Sequence, residues 1–296
     1  MSSYNGTDVP TAQLSQYGYV PHESVAIIFL TLFGISTLLH IAQATYFRMW
    51  WLLPTACLCG AGELVGWSGR LWSSFSPELG DPFMMQITTT IISPTPLIAV
   101  NFILLSRIIS RLGPCYSRLT PKWYTIIFVS CDIIALVIQG LGGGIASSAH
   151  THSGAQLGAN IMLGGIVFQF IAIIVYTTCA TDFLWHYHRS APVRPFISAA
   201  ERGTLDTRLR LMISALAFST LVLFIRSIYR MAELADGWNG RIITTEVYFN
   251  VLDGGMVILA IFTINIAHPG ILLGSPRGER KVLMKELSRD SDGSLA

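Results

Sequence analysis

Seven separate stretches of this sequence, at about residues 25–47, 51–72, 83–107, 123–147, 158–185, 209–232 and 245–267, are each apolar over the length of a membrane-crossing helix. A hydrocarbon core about 30 Å thick takes ~20 helical residues to cross. Only 12% of the 296 residues are charged, against 52% apolar, whereas a water-soluble domain carries about 25% charged residues. In lipid every backbone N–H and C=O must be bonded inside the protein, which leaves helices and closed barrels. These long runs lack the alternation of barrel strands. The expected fold class is therefore all-α: an integral membrane bundle of seven transmembrane helices over residues 22–270, with tails at 1–21 and 271–296.

The placement of charge sets an orientation. On this count Arg48, the segments Arg107–Lys122 and Arg189–Arg210, and the tail basics from Arg277 to Arg289 fall on one side; they make up 15 of the 19 Lys and Arg residues. The positive-inside rule places that side in the cytosol, so the N-terminus is expected outside and the C-terminus inside. Residues 1–21 have no basic start and no apolar core of their own, so the first span is expected to direct insertion itself. Asn5-Gly6-Thr7 is a glycosylation sequon on the outside tail, and the polar tail 275–296 is expected to be disordered. A net charge of +2, with basic residues scattered among loops, excludes a nucleic-acid surface. Gly142-Gly143-Gly144 has no following Gly-Lys-Ser/Thr, so a nucleotide-binding loop is excluded too. Cys57, Cys59, Cys115, Cys131 and Cys179 fall in spans or cytosolic loops, which leaves no outside disulfide and no Cys-x-x-Cys pair. No cofactor is expected.

Charged residues inside spans are the informative ones, because each costs about 2.5–3.5 kcal/mol at mid-depth unless it meets a partner or water. Glu63 and Arg70 lie seven apart in the second stretch. Arg226, Arg230 and Glu233 share a face of the sixth at i, i+4, i+7 spacing, and Glu246 and Asp253 lie seven apart in the seventh. Three helices thus offer polar stripes at similar, outer depth. They suit either structural ion pairs or a binding cavity, and three positive against four negative groups leaves a surplus of acid that would suit a cationic head group. Gln86, Gln139 and Gln169 lie in the middle or outer half of three other spans, where an amide either bonds across helices or lines a cavity. Pro94 and Pro96 interrupt the third stretch and predict a bend. A second polar set lies toward the cytosol: His40, Gln43, Asn101, Asp132, Asn265 and His268. Within it His40, Asp132 and His268 form an alternative, metal-binding set, although no His-x-x-x-His or His-Glu-x-x-His spacing supports it. Glycines at 62 and 66 have the spacing of close helix contact.

Several strings in order carry a resemblance: Tyr17-Gly18-Tyr19-Val20-Pro21; Asp132 followed by Gln139-Gly140-Leu141-Gly142-Gly143-Gly144; Arg226-x-x-x-Arg230-x-x-Glu233; Glu246-Val247-Tyr248 with Asp253; and His268-Pro269-Gly270. Over about residues 17–270 the chain resembles the fungal RTA-like, or lipid-translocating exporter, family of seven-span membrane proteins. The resemblance implies movement of amphiphilic lipids such as sphingoid long-chain bases and aminosterols across a membrane, with tolerance to toxic lipids as the consequence. It implies corresponding polar positions at Glu63, Arg70, Asp132, Gln139, Arg226, Arg230, Glu233, Glu246, Asp253 and His268. Trp67 and Asn250 stand where the family would place an aromatic Tyr. The expectation is a non-enzymatic lipid translocator of the plasma membrane, with membrane lipids and an amphiphilic substrate as its partners. Its substrate site would be an outer-half polar cavity in which Glu63 and Asp253 meet the amine. The alternatives are an intramembrane lipid hydrolase using His40, Asp132 and His268, and a seven-helix lipid sensor.

Overall fold

The computed structural model describes residues 15–149, 151–194, 203–237 and 240–274. The sequon at Asn5 and the tail 275–296 lie outside the described residues.

A short strap, Ser15–Pro21, precedes α1 (Glu23–Phe47), which ends where Arg48 takes a left-handed conformation at φ 55°. The chain re-enters through a 3-10 turn (Trp50–Leu52) and a π-helical turn (Leu53–Cys57) into α2 (Leu58–Phe75). Pro54 sits in that wide turn, as expected of a residue that cannot donate to a regular helix. Next come α3 (Gly80–Ile92) and α4 (Thr95–Leu112), then α5 (Pro121–Ser147), α6 (His152–His188) and α7 (Thr207–Asp236). The final column is built from α8 (Glu246–Phe249), a π-helical segment (Asn250–Gly255), α9 (Met256–Ile266) and the short α10 (Pro269–Leu272).

Among the described residues the secondary structure is helical throughout, and six columns are long and apolar enough to cross a membrane: Glu23–Phe47, Gly80–Leu112, Pro121–Ser147, His152–His188, Thr207–Asp236 and Glu246–Leu272. The second expected stretch is also a helix, α2. It falls short of that composition because Glu63, Arg70 and several glycines and serines share its 18 residues. The expected bend is present, since α3 and α4 are one column broken at Ser93-Pro94.

α4 runs through the middle of the bundle, with Leu97, Val100, Phe102, Leu104, Ile108 and Leu112 fully buried. Hydrocarbon gives no hydrophobic drive to bring helices together, so close packing of small residues carries the association. A Cβ added at Gly142 of α5 would lie 2.6 Å from the Met162 backbone nitrogen of α6, and one at Gly158 would lie 2.5 Å from that of Ala146. These two helices therefore meet backbone to backbone. On α2, Gly66 lets the side chains of Thr89 and Thr90 of α3 approach closely, and Gly62, next to Glu63, lies against Ser93 at the proline break.

Candidate functional site: a buried charge cluster under an N-terminal strap

The charge cluster grows out of a missing hydrogen bond. Pro94 has no N–H, so the carbonyl of Thr90, four residues back, loses its helical donor. The Arg226 guanidinium of α7 fills that place, donating from Nη2 to the Thr90 oxygen at 2.5 Å. The Thr90 hydroxyl takes Arg230 Nη2 at 2.7 Å, and Gln86 Nε2 reaches the same hydroxyl at 3.4 Å. The proline break thus holds the two arginines of the next-but-two column.

Arg230 is fully buried and bidentate to Asp253, with Nε to Oδ1 at 2.7 Å and Nη2 to Oδ2 at 2.6 Å. Its Nη1 donates to Glu233 at 2.6 Å, and the other Glu233 oxygen accepts the Tyr229 hydroxyl at 2.6 Å. Arg226 Nε stands 2.8 Å from Asp253 Oδ1. Paired planar geometry of this kind is what offsets the desolvation of buried ions. Arg226, Arg230 and Glu233 do share one face, as their spacing predicts.

Arg70 belongs to a second group, next to the strap. Its guanidinium donates to Glu246 at 3.1 Å and to the Tyr19 hydroxyl at 2.9 Å, and lies 4.6 Å from the Phe249 ring centre. Glu246 is also held by His22, through the ring Nδ1 at 2.5 Å and the backbone N–H at 3.1 Å. Glu246 and Asp253, about 10 Å apart along the column at 1.5 Å per residue, therefore serve different arginines. The π-helical segment that holds Asp253 widens the turn and alters the phase of the helix. The strap closes this end of the bundle: Tyr17 is buried against Phe83, with its hydroxyl 3.3 Å from Ser73.

With Arg70 set against Glu246, and Arg226 and Arg230 against Asp253 and Glu233, one acid of the expected seven charges remains. Glu63 is fully buried and neither of its oxygens completes a hydrogen bond. The Trp67 indole N–H, one turn on, stands beside it without the geometry of a full bond, and Asp253, Arg226 and Arg230 lie within electrostatic reach. Trp67 is itself stacked on Phe29, with ring centres 4.0 Å apart. A void that touches Glu233 holds about 10 Å³.

Other expected positions lie elsewhere. Asp132 and Gln139 sit at the α5–α6 contact, where Gln169 donates to Asp132 at 3.4 Å and accepts from Gln139 at 3.1 Å. His40 bonds the Ile261 carbonyl at 3.2 Å, and His268 accepts from the Gly270 N–H at 3.1 Å while stacking on Phe47. The alternative metal set His40, Asp132 and His268 is thus not brought together, and among the described residues no group of three His, Cys, Asp or Glu side chains converges. Asp132 is turned into its own helix pair by the Gln169 amide.

Thr90, Tyr229, His22 and Phe249 are site residues that sequence reasoning missed. Thr90 carried a usable signal, four residues before Pro94 in a span. Tyr229 carried one too, four residues before Glu233 on α7, whereas His22 and Phe249 depend on contacts between distant segments.

Apolar helices enclosing a paired charge cluster define a helical integral membrane protein with a polar core. Residues 56–276 match the family model described as RTA1 like protein, and the chain belongs to that family. It is 27% identical to the sphingoid long-chain base transporter RSB1 of Saccharomyces cerevisiae, an alignment covering 86% of this chain and 73% of that one. It is 23% identical to protoporphyrin uptake protein 1 of the same organism, covering 84% and 90%, and 28% identical to protein RTM1, covering 67% and 61%. No solved structure matches.

Proposed function

We propose that this chain moves amphiphilic lipids across a membrane, with single-chain sphingoid bases as the substrate class and the plasma membrane as its place. The observation that carries the reading is Glu63: a buried carboxylate without a hydrogen bond, next to a cluster whose other acids face arginines. Such a group is expensive in hydrocarbon unless it has a purpose. A protonated amine head group would supply the missing partner, and a proton would take its place once the lipid leaves. The sphingoid-base relative supports the substrate class.

In this reading α2 is the seventh crossing. Glu63, Trp67 and Arg70 are all turned inward, which lets a helix of modest hydropathy lie in lipid. The bundle spans residues 22–270, with residues 1–21 outside and 271–296 in the cytosol. Arg226 and Arg230 position Asp253 and Glu233, Gln86 steadies Thr90, and Arg70 with Glu246 forms the outer rim that the strap covers. Asp132 and Gln139 form a separate polar rung between α5 and α6.

The test is transbilayer movement of a labelled long-chain base in liposomes holding the purified protein, read by outer-leaflet extraction with products checked chemically. Accelerated movement of intact lipid, cut at least tenfold in Glu63→Gln with unchanged melting, is expected. Wild-type movement in a folded Glu63→Gln protein would sink the assignment, and a cleaved product would replace it with an enzyme.

A further inference from the structure

At the end of the bundle next to the Arg-rich loops, a groove of about 380 Å³ opens sideways between α4, α6 and α7. Its floor is Leu105, Ile108 and Leu216, all buried. Its walls are hollowed by small side chains, with Thr177, Ala180 and Thr181 on α6 and Ala217 and Thr220 on α7. The hydroxyls do not make it polar. Thr177 and Thr181 turn theirs back to the carbonyls of Ile173 and Thr177 at 2.8 Å, and Thr220 takes a hydrogen bond from Asn101.

The surroundings say what can enter. Ile174 and Val175 on α6, and Leu211, Phe218 and Leu221 on α7, are exposed beside the groove and form the surface that faces hydrocarbon. The mouth therefore opens among alkyl chains, and an apolar hollow of this kind does not hold water. Along α7 the lining runs from Ile213 to Phe224, which is ~16 Å at 1.5 Å per residue. If a methylene takes roughly the ~30 Å³ of a water molecule, the groove holds on the order of a dozen. Arg226, Arg230 and Glu233 point away, more than ~100° around the same helix at 3.6 residues per turn. The groove is therefore distinct from the charge cluster, and a small void beside Asn101, Tyr176 and Leu223 lies between them.

We infer that this groove binds the tail of a single-chain amphiphile that enters sideways from the adjoining leaflet, its head group at the rim and its chain end reaching the level of Tyr176 and Thr220. The choice of occupant rests on the lipid-transport reading, and the test lets the two fail separately.

The probe is an 18-carbon sphingoid base with a diazirine near its chain end, crosslinked to the full-length protein in liposomes and mapped by mass spectrometry. A diazirine-bearing phosphatidylcholine is run beside it. Labels concentrated in residues 176–184 and 213–224, displaced by unlabelled base and reduced at least tenfold in Ala217→Trp, are expected. Ala180→Leu fills the groove from the opposite wall and serves where the tryptophan variant does not fold. Labels spread over the outer faces of α1 and α5, labels unaffected by filling, or equal groove labelling by phosphatidylcholine would overturn the site. Groove labelling with no movement of the base removes the transport reading and leaves the groove. Rapid movement with labels elsewhere does the reverse.

Discussion

Glu63 and Asp253 are both fully buried carboxylates near the same arginines, yet their substitutions should behave in opposite ways. Asp253→Asn leaves the buried Arg226 and Arg230 without their shared counter-charge. Breaking a buried pair from one side costs about 3–5 kcal/mol, so a clearly lowered melting temperature in detergent is expected. Glu63→Gln replaces a carboxyl that lacks a hydrogen bond, so its melting should stay level or rise while transport falls; a destabilised Glu63→Gln would show that Glu63 is a structural partner after all. The proline break gives a second residue-level test. Pro94→Ala restores an N–H that competes with Arg226 for the Thr90 carbonyl, so Pro94→Ala and Arg226→Lys should be non-additive by more than about 0.5 kcal/mol in a double-mutant cycle. Additive effects would mean that the carbonyl contact carries no weight. At this scale the sequence marked all seven charges, because a charge in an apolar run stands out by composition. It did not mark Phe249, which looks like an ordinary span residue until the helices are assembled and Arg70 and Arg230 lie over its ring.

Elements show where helical arithmetic held and what it left out. Arg226, Arg230 and Glu233 share a face of the regular α7, whereas Asp253 lies within a π-helical segment that begins directly after α8 and its Glu246. Nothing in Asn250-Val251-Leu252-Asp253-Gly254-Gly255 announces such a turn by periodicity. The α5–α6 contact is a matter of size, and Gly142→Val places atoms against a backbone that cannot retreat. Overpacking of that kind costs about 1–3 kcal/mol, to be read as a lower melting temperature. The strap is the element most open to chemical test. Burial pushes the Tyr17 phenol from 10.0 up to about 12. The folded state therefore favours the neutral phenol, and the stability this contributes is whole below pH 10 and lost as pH climbs through 12. Reactivity of a Ser73→Cys thiol toward an impermeant reagent should rise over that window, and Tyr17→Phe should flatten the rise. An unchanged alkaline profile in Tyr17→Phe would show that the strap is held by other contacts.

Across the whole molecule the charge cluster lies at the strap end and the groove toward the Arg-rich loops, with α4 between them as the buried axis. The proposed orientation predicts that a cysteine placed at Ser153 reacts with an impermeant thiol reagent on intact cells, while one placed at Thr204 reacts only after permeabilisation. The opposite pattern would invert the topology. The helical, membrane-embedded character of the chain was legible from its amino acids alone, because the cost of taking a polar group into hydrocarbon is paid residue by residue and needs no neighbour to be known. So were the candidate charges and the break at Pro94, which are local properties of a single helix. Which arginine faces which acid, why Glu63 is left over, why Asp132 turns to Gln169 instead of joining His40 and His268, and where small residues leave a groove were decided only by tertiary structure. Each depends on the rotation and depth of helices that are distant in sequence, and spacing within one helix sets a face without saying what that face will meet.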